Sequence, residues 1–172
     1  ILDSEKVRFD EATLTLPNCY QPTDDQRVLE NKPARESLGL SEQQFVFAAF
    51  HQGYKLNPKM LETWVHILKS CPSSVLWCLT LSETAKRVVK KYFESFGLEL
   101  HRIVFADKLN PKEHITRLQC ADLALDTFPV NGHTTTSDAL WAGVPVVMTR
   151  RVDNPEPNWV VGTKYRLFDR VV

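Results

Sequence analysis

Neither sign of charge prevails in this sequence: 21 lysines and arginines stand against 21 aspartates and glutamates. No global field therefore draws the chain to nucleic acid or to an acidic membrane, and a polyanionic ligand has to be held by a local site. No apolar stretch approaches the ~20 residues that span a bilayer, which excludes a membrane-crossing helix. The four cysteines, Cys19, Cys71, Cys78 and Cys120, include no C-x-x-C pair, and their spacing fits neither a zinc site nor a disulfide framework. Cys78 and Cys120 lie in apolar runs and read as reduced, buried thiols, which suits a cytosolic protein. No D-x-D motif occurs, so a metal-bridged diphosphate is not indicated and no metal or cofactor is expected. Internal repeats and low-complexity tracts are also missing. The opening residues, Ile1-Leu2-Asp3-Ser4-Glu5-Lys6, do not read as a signal peptide but as the middle of a longer chain.

Core material is plentiful. Hydrophobic residues make up 43% of 172 positions, enough for one domain that buries about 70% of its unfolded surface. Residues 1–44 read as an N-terminal arm or interlobe connector. Val7, Phe9, Leu14 and Leu16 alternate with polar residues as short edge strands do, Pro17, Pro22 and Pro33 interrupt them, and residues 33–38 suit one or two helical turns before Gly39. From Phe45 the pattern changes. Phe45-Val46-Phe47-Ala48-Ala49-Phe50 is a continuous apolar run of the kind a strand buried on both faces shows. Asn57 caps a helix with Pro58 at its first position, and Met60, Leu61, Trp64, Val65, Ile67 and Leu68 form its apolar stripe until Pro72. A second strand covers Val75 to Leu79. Ser82 opens a second helix with Gly97 as its stop. Arg102 to Ala106 is a third strand. Pro111 opens a third helix through about Cys120, a fourth strand lies at Leu123-Ala124-Leu125, a helix runs from Thr134 to Ala142, and Pro145 to Thr149 is a fifth strand.

Strands that alternate with helices in this way predict an α/β fold, a doubly wound, Rossmann-like parallel sheet over residues 45–149. Residues 150–172 break the rhythm and read as a divergent C-terminal tail, in which Trp159, Val160 and Val161, then Tyr165, Leu167 and Phe168, suit a hairpin or a packing arm. Ligands of such sheets bind outside the carboxyl ends of the strands, and three chemically loaded segments fall there. His51-Gln52-Gly53-Tyr54-Lys55 follows the first strand, where Lys55 can meet a phosphate. Asn131-Gly132-His133-Thr134-Thr135-Thr136-Ser137-Asp138 follows the fourth; three threonines at a helix start present unpaired amides and hydroxyls to an anion, and Asp138, one turn in, can accept hydrogen bonds from ribose hydroxyls. Asn110-Pro111-Lys112-Glu113-His114-Ile115-Thr116-Arg117 follows the third, with His114 and Arg117 on one helix face to stack on or pair with a base. Each has a plainer alternative in isolation: a solvated lysine, an ordinary threonine cap with a first-turn acid, and an exposed amphipathic helix. Together they supply a phosphate cradle, a cation and a base-stacking surface.

The same segments resemble the O-GlcNAc transferase family and its bacterial relatives. The likeness runs over about residues 10–149, through Leu16-Pro17-Asn18-Cys19-Tyr20-Gln21-Pro22, Tyr54-Lys55, Ser74-Val75-Leu76-Trp77 and Leu125-Asp126-Thr127-Phe128-Pro129. It is densest from Gly132-His133-Thr134-Thr135 through Ser137-Asp138-Ala139-Leu140-Trp141-Ala142-Gly143-Val144-Pro145. The resemblance implies the C-terminal, donor-binding lobe of a two-lobed GT-B glycosyltransferase, inverting and metal-independent, with UDP-GlcNAc as donor and protein Ser/Thr hydroxyls as acceptors. It implies that Lys55 contacts the diphosphate and stabilises departing UDP, with Gln52 beside it. Thr134, Thr135 and the His133 backbone would hold the phosphates, Asp138 the ribose, and His114, Arg117, Lys112 and the Asn110 backbone the uracil. Related plant O-fucosyltransferases usually lack the histidine before the threonines and the aspartate after them, so His133 and Asp138 favour a UDP-sugar over GDP-fucose. Nothing in these residues resembles the family's N-terminal lobe or its tetratricopeptide repeats, so protein acceptors would be met there and this chain alone would transfer little sugar. After Thr149 the expected glycine-rich loop gives way to Arg150-Arg151-Val152-Asp153-Asn154-Pro155. The alternative is a non-catalytic, degenerate or truncated nucleotide-binding module. The expected location is the cytoplasm, or the nucleus as well in a eukaryote.

Overall fold

The computed structural model describes residues 24–150 and 158–162. The edge strands expected around residues 7–16, Cys19, and the aromatic residues expected at 165–168 lie outside them. A 3₁₀ turn at Arg35–Leu38 ends on Gly39 in the left-handed region and leads into β1 (Phe45–Ala49). There follow α1 (Pro58–Ser70), β2 (Ser74–Leu79), α2 (Glu83–Ser95), β3 (Ile103–Ala106), α3 (Pro111–Leu118), β4 (Leu123–Leu125), α4 (Thr134–Trp141), β5 (Val146–Arg150) and β6 (Asn158–Gly162).

The helices begin where local chemistry starts them. Asn57 Oδ1 accepts Met60 N at 3.1 Å, Ser82 Oγ accepts Ala85 N at 3.3 Å and Asn110 Oδ1 accepts Glu113 N at 3.0 Å, each satisfying an amide that the first helical turn leaves unpaired. Pro58 and Pro111 stand just inside α1 and α3, where a missing N–H costs nothing. Gly97 and Gly143, with φ of 74° and 85°, follow α2 and α4.

The strands lie in the order β3-β2-β1-β4-β5-β6. The first five are parallel and β6 returns antiparallel to β5, pairing Met148 with Val160. The expected α/β doubly wound sheet is thus present, with the tail adding a sixth strand at its edge. Side chains alternate across β1. Val46 and Ala48 join the core formed with Trp77, Leu118, Cys120 and Leu140, under α3 and α4, whereas Phe47 and Ala49 join Trp64, Leu68, Leu76 and Phe93, under α1 and α2. The continuous apolar run of β1 has its cause here, since both faces are covered. Chain order reverses between β1 and β4, so the crevice outside their carboxyl ends is the topological switch point, where ligands bind in sheets of this kind.

Arg102, expected to begin the third strand, instead ends a 3₁₀ turn before β3. Its guanidinium donates to Leu68 O and Cys71 O at the end of α1 and to Ser74 O at the start of β2, tying the two elements together. Cys78 and Cys120 are buried free thiols and Cys71 is partly buried. Burial pushes the Cys78 thiol up to about 12. Among the described residues no helix is long and apolar enough to cross a membrane.

Candidate functional site

The exit of β4 is built around one buried carboxylate. Asp126 Oδ1 accepts Thr127 N at 2.7 Å and Gly132 N at 2.6 Å, and Oδ2 accepts Asn131 Nδ2 at 3.0 Å. These bonds fold residues 127–132 back on the strand end and deliver the start of α4 to the crevice. A Cβ on Gly132 would lie 2.4 Å from Thr135 Oγ1 and 2.8 Å from Thr136 Oγ1, so the approach of loop to helix requires glycine there. Thr136 Oγ1 donates back to Gly132 O at 3.1 Å. A bond from Ser137 N to His133 O opens α4, and the amides of its first turn lie at the positively polarised end of the helix. His133 and Thr134 are exposed at this tip, while Thr135 Oγ1 is buried without a hydrogen-bond partner.

The exit of β1 meets that loop. A 3₁₀ turn at Gly53–Lys55 carries Lys55, whose Nζ donates to Asn131 O at 2.9 Å. The ammonium group thus stands three residues before Thr134, on the same side of the sheet as the α4 start. Gln52 is exposed beside it. His51 is 6% exposed, and its Nε2 faces Leu125 O at 2.7 Å. A carbonyl only accepts, so Nε2 carries the proton and Nδ1 is a bare acceptor, buried and without a partner. Burial lowers the pKa of His51 against the opposing pull of the Leu125 carbonyl and Asp126, which favours this neutral form.

The third cluster joins from α3. His114 packs edge-on to Phe50 with ring centroids 5.0 Å apart. Arg117 is 4% exposed, so the plainer reading of an exposed amphipathic face does not describe it. Its Nη1 donates to Asp107 O at 2.6 Å, its Nε and Nη2 reach His114 Nδ1 at 3.3 and 3.1 Å, and it lies over the rings of Phe50 and Trp77. Arg117 therefore meets the crevice through His114. Burial first, and the Arg117 charge second, push the His114 imidazole down to about 4. Asn110 caps α3 and its carbonyl accepts His114 N at 2.9 Å. Lys112, exposed at the first turn, pairs with Glu30 of the arm. Asp138 also pairs with the arm, through Arg27; burial raises its pKa and the Arg27 contact opposes that rise.

The three clusters close on one cavity of about 20 Å³, whose lining includes His51, His114, Asp126, Thr135 and Thr136. Asp126, His51 and Arg27 were given no role from sequence. Asp126 bears a faint sequence signal, an acidic residue at a strand end before a turn. Arg27 bears none, since its partner Asp138 lies 111 positions away. Among the described residues no group of histidine, cysteine, aspartate and glutamate has the arrangement of a metal site.

Comparison with known proteins gives a consistent picture. A sequence model of glycosyl transferase family 41 matches residues 23–153. The chain is 41% identical over 145 residues to the "Probable UDP-N-acetylglucosamine--peptide N-acetylglucosaminyltransferase SEC" of Arabidopsis thaliana, covering 81% of this chain and 15% of that protein. It is 40% identical over 114 residues to the UDP-N-acetylglucosamine--peptide N-acetylglucosaminyltransferase of Caenorhabditis elegans, covering 66% of this chain and 10% of the relative. In fold it is similar to a mutant of the Thermobaculum terrenum O-GlcNAc transferase, with a TM-score of 0.64 at 24% identity over 78% of this chain and 25% of that one. The chain thus spans only a small fraction, 10–15%, of the length of these curated relatives.

Proposed function

The chain belongs to glycosyl transferase family 41, and from that premise we propose that it is the donor-binding lobe of a metal-independent, inverting glycosyltransferase. The donor is UDP-N-acetylglucosamine, and the acceptors are serine and threonine hydroxyls of proteins. The observation that carries this reading is the meeting of Lys55 Nζ with Asn131 O at 2.9 Å. It sets an ammonium group and a positively polarised helix start side by side at the switch point of the sheet.

In this reading the diphosphate lies over the amides of Thr134 and Thr135 and the His133 backbone, with Lys55 and Gln52 at its flank. As the acceptor hydroxyl attacks the anomeric carbon from the opposite face and gives up its proton to a base in the part of the protein that meets the acceptor, the bond from the anomeric carbon to the diphosphate oxygen breaks and its electron pair leaves with UDP. Charge then grows on the terminal phosphate next to Lys55. A preorganised cation or donor aimed at such charge is worth roughly 100–1,000-fold in rate. Asp138 takes the ribose hydroxyls. The neutral His114 ring, held by Arg117, borders the uracil, with Lys112 and the Asn110 backbone at its edge. The acceptor is met by another part of the protein, so this chain alone binds the nucleotide and transfers little sugar. The free thiols favour a reducing compartment, the cytoplasm or the nucleus.

A second reading, a non-catalytic nucleotide-binding module, is favoured by one sequence observation: Arg150-Arg151-Val152-Asp153-Asn154-Pro155 where a glycine-rich loop was expected. The two readings part on turnover once the rest of the protein is present. The test of the shared claim is calorimetric titration of the chain with UDP. Lys55→Ala should weaken UDP binding about 10- to 100-fold, the weight of one charge-assisted hydrogen bond, while leaving the melting temperature unchanged. Equal affinity in the variant and the parent would remove Lys55 from the site.

A further inference from the structure

The arm before β1 packs on the two helices that flank the site, and it does so with charge. Residues 24–30 lie against both α3 and α4. Glu30 N donates to Thr116 Oγ1 at 3.3 Å, Gln119 Nε2 donates to Glu30 O at 3.2 Å, and Trp141 Nε1 donates to Arg27 O at 3.1 Å. Two residues given roles in nucleoside binding are paired with this arm: Lys112 with Glu30, and Asp138 with Arg27. The Arg27 pair is the more enclosed. Its side chains are 17% and 14% exposed, against 58% and 54% for the Lys112–Glu30 pair.

The guanidinium of Arg27 is held from several directions. It lies over the Trp141 ring, 4.8 Å from the centroid. Nε donates to Asp24 O at 3.0 Å, Nη1 donates to Asp138 Oδ1, and the residue's own carbonyl is pinned by the Trp141 indole. Asp138 and Trp141 are three apart on α4 and so share a face; one guanidinium stacks on the second while it pairs with the first. A carboxylate rotates about its last bond unless something fixes it, and here only Oδ1 is engaged by Arg27. The other oxygen keeps its lone pairs for a ligand. Arg27 and Lys112 also line one groove of about 400 Å³ between the arm and the first turn of α3.

Resting on the reading of Asp138 as the ribose acceptor, we propose that Arg27 is the positioning residue for nucleoside recognition. It fixes the Asp138 carboxylate so that its second oxygen meets the ribose diol. Arg27 acts through Asp138 and has no part in holding the diphosphate. Lysine in its place keeps the charge but loses the planar stack on Trp141, so it restores the function in part.

The test is titration of the 172-residue chain with UDP and, separately, with inorganic pyrophosphate. Arg27→Ala should weaken UDP about tenfold, the loss expected when a charge-assisted contact no longer orients its partner, and leave pyrophosphate binding unchanged. Arg27→Lys should recover part of the loss. In an Asp138→Asn background, Arg27→Ala should change UDP affinity by less than about twofold, because residues acting through one contact are not additive. Gln119→Ala, which loosens the arm at Glu30, should leave UDP affinity at the parent value. If Arg27→Ala unfolds the chain, the comparison rests on Arg27→Lys, which should weaken UDP and not pyrophosphate. Parent-like or tighter UDP binding in the folded Arg27 variants overturns the proposal, as does an equal loss for pyrophosphate, or additive losses in the double variant. A parent chain that binds no UDP overturns the functional reading itself and this proposal with it; a parent that binds UDP beside an indifferent Arg27→Ala overturns the proposal alone.

Discussion

At the scale of single residues, the site is governed by groups whose ordinary protonation is altered by burial. His114 is the clearest. Its imidazole is pushed down to about 4 by burial and by the Arg117 charge, against an ordinary value near 6.5. Below pH 6.5 the unfolded chain takes up a proton that the folded chain refuses until about pH 4. The stability that depends on neutral His114 is therefore whole above pH 6.5 and is lost as the pH falls through that window, at about 1.4 kcal/mol per pH unit. Urea unfolding between pH 7.5 and pH 4.5 should show this decline in the parent, and His114→Gln should flatten it. An equally steep decline in the variant would assign the loss to other groups, of which His51, lowered for the same reason of burial, is the first. Sequence pointed to His114 and Arg117 as a pair because a spacing of three on a helix is a local fact. It could not show that Arg117 spends its donors on His114 and Asp107 O. Nor could it show that Asp126 anchors the loop to Gly132 or that Arg27 meets Asp138, since those partners are brought together only by the fold.

At the scale of elements, the helix starts were legible for the converse reason. Asn57, Ser82 and Asn110 each receive the amide three residues on, an interaction contained within four residues. Strand limits were read to within a residue or so, and Arg102 was misplaced because a chain entering a strand through a 3₁₀ turn leaves no mark in the apolar pattern. One cap does double duty across elements. Asn57 Oδ1 caps α1, and its Nδ2 donates to Phe128 O at 2.8 Å, tying the start of α1 to the loop that follows β4. Loss of an N-cap typically costs ~1 kcal/mol, and the tie adds another hydrogen bond of about the same weight. Asn57→Ala should therefore destabilise the chain by about 2 kcal/mol, and Asn57→Ser, which keeps the cap and drops the tie, by about half as much. Denaturant unfolding of the two variants checks this. Parent-like stability in Asn57→Ser would mean that the Phe128 tie contributes nothing, and equal losses in the two variants that the cap does not.

At the scale of the whole molecule, the sheet divides the protein into a chemical end and a structural end. The carboxyl ends of β1 and β4 carry Lys55, His51 and Asp126. Their opposite ends are locked by a different set of charges. Asp122, just before β4, accepts Val46 N at 2.8 Å and receives Arg35 Nη2 at 2.9 Å on both oxygens; Arg35 Nη1 donates to Gln44 O at 2.9 Å. Strand order was not legible in sequence, because the crossover that sets β4 beside β1 depends on contacts between distant residues, and this clamp is one of them. Arg35 is 6% exposed, so removing it leaves a carboxylate about two-thirds covered and two loop carbonyls without this donor. Breaking a buried pair costs ~3–5 kcal/mol. Asp122 retains a third of its side-chain exposure and its amide donor, which lowers the expectation for Arg35→Met to about 2–3 kcal/mol. In a domain of this size that corresponds to a fall in melting temperature of roughly 5–10 °C. The clamp is at the far end of the sheet from the crevice, so the folded variant should bind UDP as the parent does. Arg35 and Arg27 thus make opposite predictions from the same arm, stability without affinity for one and affinity for the other. A joint fall in both quantities for Arg35→Met would show that the two ends of the sheet are not independent.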